Sequence, residues 1–439
     1  MYHNMKDAIV PPSSLRRSPA DRFLSPEARC YNPSMRKLFF ILLIVTGTLL
    51  LSGCVKKVPP PGWVAKIQSV SPPLGPEEIF SLPEGEKVFL SELLKDVEDA
   101  RVLFVGETHD QLDHHRIQLT LIQELLRKGK TVVVAMEMFE RLQQPTLDRW
   151  SEGLLTEGQF LKDVDWEKTW AMDYRLYKDI LDESQKNHLK VLALNVPREL
   201  VRKVAEVGVD GLSSEDRVKV PDMNLSDVNY REYLNSVYRG HKEGSAKGFE
   251  RFYEAQCLWD EGMAETLSSF LHSPEGQGKT VVVIAGKGHI VFNFGIPKRL
   301  YRRAPLPLKT IVLKEWEKDL GEDKDLTFAS GRQPPGDYLW ITRPNPPEKK
   351  RPRIGVIIST ENSGQEGLEI ERVIPGSPAE EAGLLPGDRL KAVEGKDIRA
   401  LREIHEALAE KGWGKEITLT ILRGEETKEV TVTLPSLED

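Results

Sequence analysis

Four short apolar runs, rich in β-branched residues, punctuate the first two thirds of the chain: 101–105 (RVLFV), 131–135 (TVVVA), 190–194 (KVLAL) and 280–284 (TVVVI). Between them the apolar positions recur at helical spacing. This switching of period predicts βαβ units and a mostly parallel sheet flanked by helices. A further run, Thr310–Leu313, reads as a last strand. Residues 205–275 break the rhythm. They are long, mainly helical and carry Tyr230, Tyr233, Tyr238 and Tyr253. They read as a helical insertion between strands, able to cap the sheet edge.

A polar cluster follows each of the four runs: Gly106-Glu107-Thr108-His109-Asp110, Met136-Glu137-Met138-Phe139, Asn195-Val196-Pro197-Arg198 and Ala285-Gly286-Lys287-Gly288-His289. Parallel neighbouring strands would deliver all four to one edge, and open α/β sheets bind ligands there. Two glutamates and two histidines, distant in sequence, are therefore expected to share a pocket. The helix expected from about Asp113 to Lys128 points His114, His115 and Gln118 into the arc that otherwise holds Ile117, Leu121, Ile122 and Leu125. Buried polar groups are costly unless paired, so these three mark either a site or a private hydrogen-bonding network. In the insertion, Gln256, Asp260 and Met263 share a helix face with Phe252, Trp259 and Leu267. Gln256 and Asp260 are the members that would reach the sheet edge. Imidazole with carboxylate suits zinc, manganese or iron. No H-E-x-x-H helix occurs, which excludes an ordinary zincin.

The ends of the chain have other characters. Met35-Arg36-Lys37, the apolar stretch 38–51 and Leu51-Ser52-Gly53-Cys54 have the layout of a secretory signal. The apolar stretch falls short of the roughly 20 residues of a spanning helix. The ending resembles a bacterial lipobox, which implies lipidation at Cys54 and an extracytoplasmic membrane lipoprotein, inner or outer membrane left open. Residues 1–34, polar and Pro-bearing, precede a complete signal, so Met35 is the expected initiator. The divisions expected are an extension plus signal (1–54), a Pro-rich tether (55–85), an α/β domain (86–325), a Pro-rich linker (326–350) and a smaller β-rich unit (351–436).

At 439 residues the chain exceeds one ordinary domain. A net charge of −7, mixed along the chain, lacks the clustered basic face of a nucleic-acid binder. Three cysteines (Cys30, Cys54 and Cys257) build no disulfide framework. Cys257 reads as a small buried apolar residue.

Taken in order, Gly106-Glu107-x-His109-Asp110-x3-His114-His115-x2-Gln118, Glu137-Met138-Phe139 with Gln143-Gln144 and Leu147-Asp148, Asn195-Val196-Pro197-Arg198, Gln256-x3-Asp260-x2-Met263-Ala264 and Gly286-x-Gly288-His289 with Gly295-Ile296-Pro297 resemble the ChaN-like haem-binding lipoproteins of the wider Tiki/EreA-like superfamily. The resemblance covers about 90–315. It implies an extracytoplasmic protein of haem or iron acquisition. It also implies that Glu107, His109, Glu137 and His289 hold a divalent metal or act catalytically, as in hydrolytic members. Haem needs an apolar slot and an axial ligand; His114, His115, His289 and the insertion's tyrosines are all candidates, and spacing does not choose among them. With His114 and His115, Gln118, Gln256, Asp260 and His289 form the expected ligand-facing set. Cys-x-x-Cys-His is absent, so no covalent haem attachment is expected.

In the last unit, Arg353-Ile354-Gly355-Val356, Pro375-Gly376-Ser377-Pro378-Ala379, Gly383-Leu384 and Pro386-Gly387-Asp388-Arg389-Leu390 resemble a bacterial-type PDZ domain. Ser377 can cap a short helix that Gly383 ends. A second helix is expected over 400–411, then strands at 417–422 and 428–433. Such a domain adds a partner's C-terminus as a strand. Ile354, Gly355 and Val356 would hold the chain end, with His405 beside the groove.

The leading expectation is a membrane-anchored lipoprotein binding haem or an iron-containing ligand, its PDZ unit docking a partner. The alternative is a metal-dependent hydrolase or peptidase with Glu107 or Glu137 as general base. A scaffold with a vestigial site is the third. The oligomeric state, a homodimer included, is left open.

Overall fold

The computed structural model describes residues 64, 66–67, 75–82, 84–170, 172–241, 246–316, 333–345, 352–359, 367–398 and 401–436. Cys30, Cys54, the signal-like segment and the N-terminal extension lie outside them, as do parts of both Pro-rich segments.

Among the described residues, Ile79–Ser81 (β1), Glu86–Val88 (β2), Val102–Glu107 (β3), Val132–Glu140 (β4), Val191–Asn195 (β5), Thr280–Gly286 (β6), Leu308–Glu315 (β7) and Tyr338–Thr342 (β8) form an eight-stranded sheet, order β2-β1-β8-β7-β3-β6-β4-β5. From β8 to β5 the pairings are parallel; β1 and β2 join antiparallel. Every residue of β3, β5, β6 and β8 is buried, as expected for strands covered on both faces. The chain leaves β3, crosses to β4 and β5, returns to lay β6 between β3 and β4, then places β7 on the far side of β3. The change of direction opens a crevice at the carboxyl ends of β3, β6 and β4.

The helices that matter for function are Leu112–Arg127 (α1), Gln144–Ser151 (α2), Arg175–Lys186 (α3), Arg198–Val207 (α4), Val228–His241 (α5), Ala246–His272 (α6) and Ile296–Arg303 (α7). The buried stripe of α1 is His114, His115, Gln118, Leu121, Ile122 and Leu125, polar in its first turns and apolar afterwards. At the β5 edge the Gln144 side chain stands in for a further strand. Its amide donates to the Val191 carbonyl (2.9 Å) and accepts from the Ala193 N–H (2.8 Å), blunting an edge that would otherwise be open to pairing. The insertion is α5 and α6 with the end of α4. It packs Tyr230, Tyr233, Tyr253 and Cys257 against Phe292 and Phe294. Burial pushes the Cys257 thiol up to about 12, consistent with an inert apolar role. No helix among the described residues is long and apolar enough to cross a membrane.

Two expectations need correction. The segment read as linker supplies β8, whose Tyr338–Thr342 side chains are all buried. The segment read as tether supplies β1, with Val64 and Ile67 also in the core. Proline density disguised short aromatic and β-branched runs that have paired into the sheet. In addition, β4 runs through Glu140, so Glu137 lies on the strand and not beyond it.

The C-terminal unit is antiparallel. Val356–Ile358 (β9), Leu368–Val373 (β10), Arg389–Val393 (β11), Lys396–Asp397 (β12), Glu416–Arg423 (β13) and Glu426–Thr433 (β14) follow the order β14-β13-β11-β10-β9, with β12 on β11. Pro378–Glu381 (α8) and Leu401–Lys411 (α9) complete it. The Ser377 hydroxyl caps α8, and Gly383 follows it at φ +77°. Ile370, Leu390, Ile404, Leu408 and Ile417 fill its core.

Candidate functional site

Glu107, the last residue of β3, lies opposite Gly286, the last of β6. Glu137 sits where β4 breaks register with β5, between the pairs Met136–Ala193 and Glu140–Asn195. Irregularities of this kind re-aim side chains near functional sites. The Asn195 amide braces the turn by donating to the Glu137 carbonyl (3.0 Å). The Gly286 N–H donates to Glu137 Oε2 (2.7 Å), tying β6 to β4.

Glu107 anchors one half of the site. Its carboxylate accepts from His109 Nδ1 (2.8 Å), the Tyr177 hydroxyl (2.7 Å) and the Gln118 amide (2.8 Å), and His115 Nδ1 stands 3.4 Å away. Burial alone would raise its pKa, but the adjoining His115 and His109 and the hydrogen bonds outweigh this and hold it at about 2. His115 Nε2 faces the His109 carbonyl at 3.0 Å. His114 accepts the Thr108 N–H at Nδ1 (2.9 Å). Burial pushes its pKa down to about 3, so the ring is neutral, and its buried Nε2 has no partner.

His289 anchors the other half. Its Nδ1 bonds Asp260 Oδ1 (2.7 Å), and the far oxygen of Asp260 accepts the Tyr230 hydroxyl. The Gln256 amide lies 3.4 Å from the same ring nitrogen. His289 Nε2 points at Glu137 Oε1 across 3.5 Å, and that oxygen is buried without a hydrogen-bond partner. Burial disfavours the imidazolium, but the Glu137 and Asp260 carboxylates more than compensate, raising the pKa to about 8.

Gly286 is the joint between the halves. A Cβ there would stand 3.0 Å from His109 Nε2 and 3.6 Å from Glu137 Oε2. Two imidazoles, each gripped at Nδ1 by a carboxylate, thus flank Glu137. Carboxylate-oriented imidazole beside a second carboxylate is an acid–base arrangement.

The structure therefore brings Glu107, His109, Glu137 and His289 together. It adds His115 and Gln118 to the first half and Gln256 and Asp260 to the second. Met263 is core. Among the four, Glu107 holds His109 Nδ1 and Glu137 Oε1 stays unpartnered beside His289 Nε2, and among the described residues no group of three or more His, Cys, Asp or Glu is placed to hold a metal ion. Tyr177, the partner of Glu107, went unread, and Tyr230, read only among the insertion's candidate haem ligands, bonds Asp260. Each lies on an apolar helix face, where a tyrosine looks like core.

Two cavities bear on ligand binding. One of about 410 Å³ lies between α1 and α3; His115 forms part of its wall, the sole member of the expected ligand-facing six to line either cavity. The other, of about 700 Å³, is a cleft beside α7. Phe292, Phe294, Pro297 and Leu306 wall it, and it carries Tyr301 and Lys298. Tyr301 is 58% exposed, whereas the insertion's Tyr230, Tyr233 and Tyr253 are buried and so are not free to meet a ligand.

In the C-terminal unit, β9 occupies the sheet edge. Ile354 is buried, Gly355 and Val356 are half-buried, and His405 is a half-buried residue of α9. Gly355 is at φ +86°, and a Cβ there would meet Ser377 Cβ at 2.2 Å. The Gly355 carbonyl accepts from the Ile374 N–H (2.9 Å) and the Ile354 carbonyl from the Ala379 N–H (2.8 Å), which fixes the loop ahead of β9.

Residues 93–300 match the family described as haem-binding uptake, Tiki superfamily, ChaN, and residues 352–434 match the PDZ domain family. Among curated proteins, the chain is 21% identical to Protein RETICULATA-RELATED 5, chloroplastic, of Arabidopsis thaliana, over 56% of this chain and 35% of that one. It is 42% identical over 72 residues to the probable periplasmic serine protease do/HhoA-like of Haemophilus influenzae, covering 16% of each. The chain thus spans about a third or less of the length of these relatives. Among solved structures, one described as cofacial heme binding to ChaN of Campylobacter jejuni is similar, with 19% identity, TM-score 0.47 and coverage of 60% of this chain and 95% of that one. The chain accordingly carries a ChaN-like domain of the Tiki superfamily, followed by a PDZ domain.

Proposed function

We propose that the α/β domain binds haem or an iron-containing ligand, that Cys54 anchors the chain by lipid at an extracytoplasmic membrane face, and that the protein serves iron acquisition while its PDZ unit docks a partner's C-terminus. The observation that carries the haem reading is the cleft beside α7. Its volume of about 700 Å³ is in the range of small-molecule and cofactor sites. Its walls are aromatic and prolyl, and it presents an exposed phenol, a recognised axial ligand of haem iron. The residues fit the group in part: Tyr301 would ligate the iron, Pro297 and Leu306 would line the slot over the buried Phe292 and Phe294, and Lys298, paired with Asp227 Oδ2 (2.6 Å), stands beside it. Bound haem would supply the iron that is carried and an intense visible absorption. The chain's own work is to exclude water from one face and to hold one phenol oxygen. Titration of the full chain with hemin should give a Soret band. Tyr301→Phe should alter it and weaken binding, and His289→Ala should leave it in place. An unaltered spectrum in Tyr301→Phe would remove Tyr301 from the site.

A second reading rests on Glu137 Oε1, buried and unpartnered beside His289. In that reading the sheet-edge cluster performs hydrolysis, with Glu137 as base and His289 handling the proton, and a divalent metal recruited there remains part of the proposal. Glu107, held at about 2 and occupied by His109, Tyr177 and Gln118, is the poorer base. Assay of esters and peptides with and without added zinc or manganese, for wild type and Glu137→Gln, tests it; equal rates in both proteins would discard it. For the PDZ unit, the carboxylate loop at Ile354–Val356 predicts that amidating a peptide's C-terminus abolishes binding.

A further inference from the structure

Arg299 is a cation in the interior, 4% exposed, that neither reading uses. Its Nη1 donates to the carbonyls of Phe294 (2.6 Å) and Gly295 (3.3 Å), and its Nη2 reaches Cys257 Sγ (3.3 Å). Its Nε stands 3.3 Å from the Glu261 carboxylate. The guanidinium lies over the Tyr230 ring at 4.7 Å. From Tyr230 the contacts run without a gap: its hydroxyl donates to Asp260, Asp260 holds His289 Nδ1, and His289 Nε2 faces Glu137. In the other direction, Phe294 lines the α7 cleft, and Tyr301 lies two residues beyond Arg299 on the opposite, exposed face of α7.

The segment joining His289 to Phe294 is taut. Phe292 and Asn293 are both left-handed, at φ 59° and 57°, a conformation costly for a bulky side chain. It is pinned on both sides. The Phe292 N–H donates to the Pro335 carbonyl (2.7 Å), and the Phe292 carbonyl accepts from the Gln333 amide (2.8 Å). A Cβ on Gly295 would meet the His289 carbonyl oxygen at 2.2 Å. Packed side chains and hydrogen-bonded segments of this kind are the elements through which coupling between sites travels where it occurs.

We propose that Arg299 couples the α7 cleft to the Glu137–His289 pair, so that a porphyrin seated in the cleft repositions the His289 ring and changes at Glu137 change porphyrin affinity. The proposal rests on the haem reading of the cleft. The reciprocity is thermodynamic: whatever factor one site imposes on binding at the other is returned. Arg299 acts as a positioning residue, through the Phe294 carbonyl on one side and the Tyr230 ring on the other.

The test uses the full chain and gallium protoporphyrin IX, which is diamagnetic. Two quantities are read: the His289 ring resonances by NMR, assigned with His289→Gln, and the porphyrin Kd by absorbance. In wild type, saturation should shift the His289 resonances, and Glu137→Gln should change Kd by about 5-fold or more, the lower end of ordinary allosteric coupling. In Arg299→Lys, which keeps the charge and loses the forked contacts, porphyrin should still bind while both effects disappear. Tyr230→Phe keeps the stacked ring and breaks the hydroxyl link to Asp260. It should likewise uncouple the sites, and it serves if Arg299→Lys does not fold. Binding with an unmoved His289 and an unchanged Kd in Glu137→Gln overturns the coupling and leaves the haem reading standing. Absence of any porphyrin binding overturns both.

Discussion

His289 should make the α/β domain lose stability between neutral and mildly alkaline pH. Its pKa in the folded protein is about 8, against an ordinary 6.5. A group whose folded pKa is raised contributes stability that is complete below the unfolded value and is lost as pH climbs through the folded one. At ~1.4 kcal/mol per pH unit, the difference amounts to about 2 kcal/mol. About three quarters of it should disappear between pH 6.5 and 8.5. The ring is nearly fully buried and faces carboxylates on two elements, Glu137 on β4 and Asp260 on α6, so solvent screens the effect little. Denaturant unfolding of the full chain, with the two domain transitions fitted separately, measures it. His289→Gln removes the titrating group and should flatten the profile across that window. The Cys257 thiol, raised to about 12, contributes only above about pH 9, where the unfolded thiol ionises. If His289→Gln loses the same stability between pH 6.5 and 8.5 as wild type, the carboxylates around His289 do not hold a proton on it.

On the acid side the signs reverse. His114, pushed down to about 3, and Glu107, held at about 2, are both lower than in the unfolded chain, so stability should fall from pH 6.5 downward as the unfolded state takes up protons there first; His114→Gln should lessen that slope. Gly286→Ala should cost about 0.5–1.5 kcal/mol, because His109 must leave its rotamer to clear a Cβ at 3.0 Å; thermal melting checks this, and an unchanged Tm would mean that the joint is looser than drawn. Gly355→Ala imposes φ +86° on a residue whose Cβ overlaps Ser377; a loss of at least about 1–3 kcal/mol is expected, with peptide binding lost, both seen by calorimetry of the PDZ transition. Gln144→Ala leaves the Val191 carbonyl and Ala193 N–H without their side-chain partners, at about 1–3 kcal/mol, and hydrogen exchange at Ala193 should quicken.

The parallel sheet was legible because strands buried on both faces have no polar alternation to confuse with a helix, and the four runs ending at 105, 135, 194 and 284 are of that kind. Convergence of Glu107, Glu137 and His289 followed from parallel order alone, since every strand then exits at one edge. The turn-and-cap residues Gly355, Ser377 and Gly383 made the C-terminal unit readable, each required by local geometry. Strand β8 was hidden: Tyr338–Thr342 is a short run between prolines, and only its pairing with β7 makes it structural. The partners of the two carboxylates were hidden for a different reason. Tyr177 and Tyr230 occupy apolar faces, and a hydroxyl's burial beside a carboxylate depends on helix packing angles that no local pattern records. The α7 cleft draws on residues around 229, 292–301, 305–308 and 333, segments with no shared periodicity.

The separation of cluster and cleft follows from how each spends its hydrogen bonds. Admitting a flat macrocycle to the sheet edge would pull His289 from Asp260 or His109 from Glu107, stranding a buried carboxylate at about 3–5 kcal/mol for each broken pair. The cleft beside α7 asks for no such opening. Its lining is partly apolar, with Asn229, Asn293, Lys298 and Gln333 among it, its phenol already faces solvent, and covering its apolar part removes that surface from water at about 25 cal/mol per Å². On the proposed reading, a bulky apolar ligand would seat at α7 and small polar chemistry between the imidazoles. Arg299 is the residue through which occupancy of one would be felt at the other.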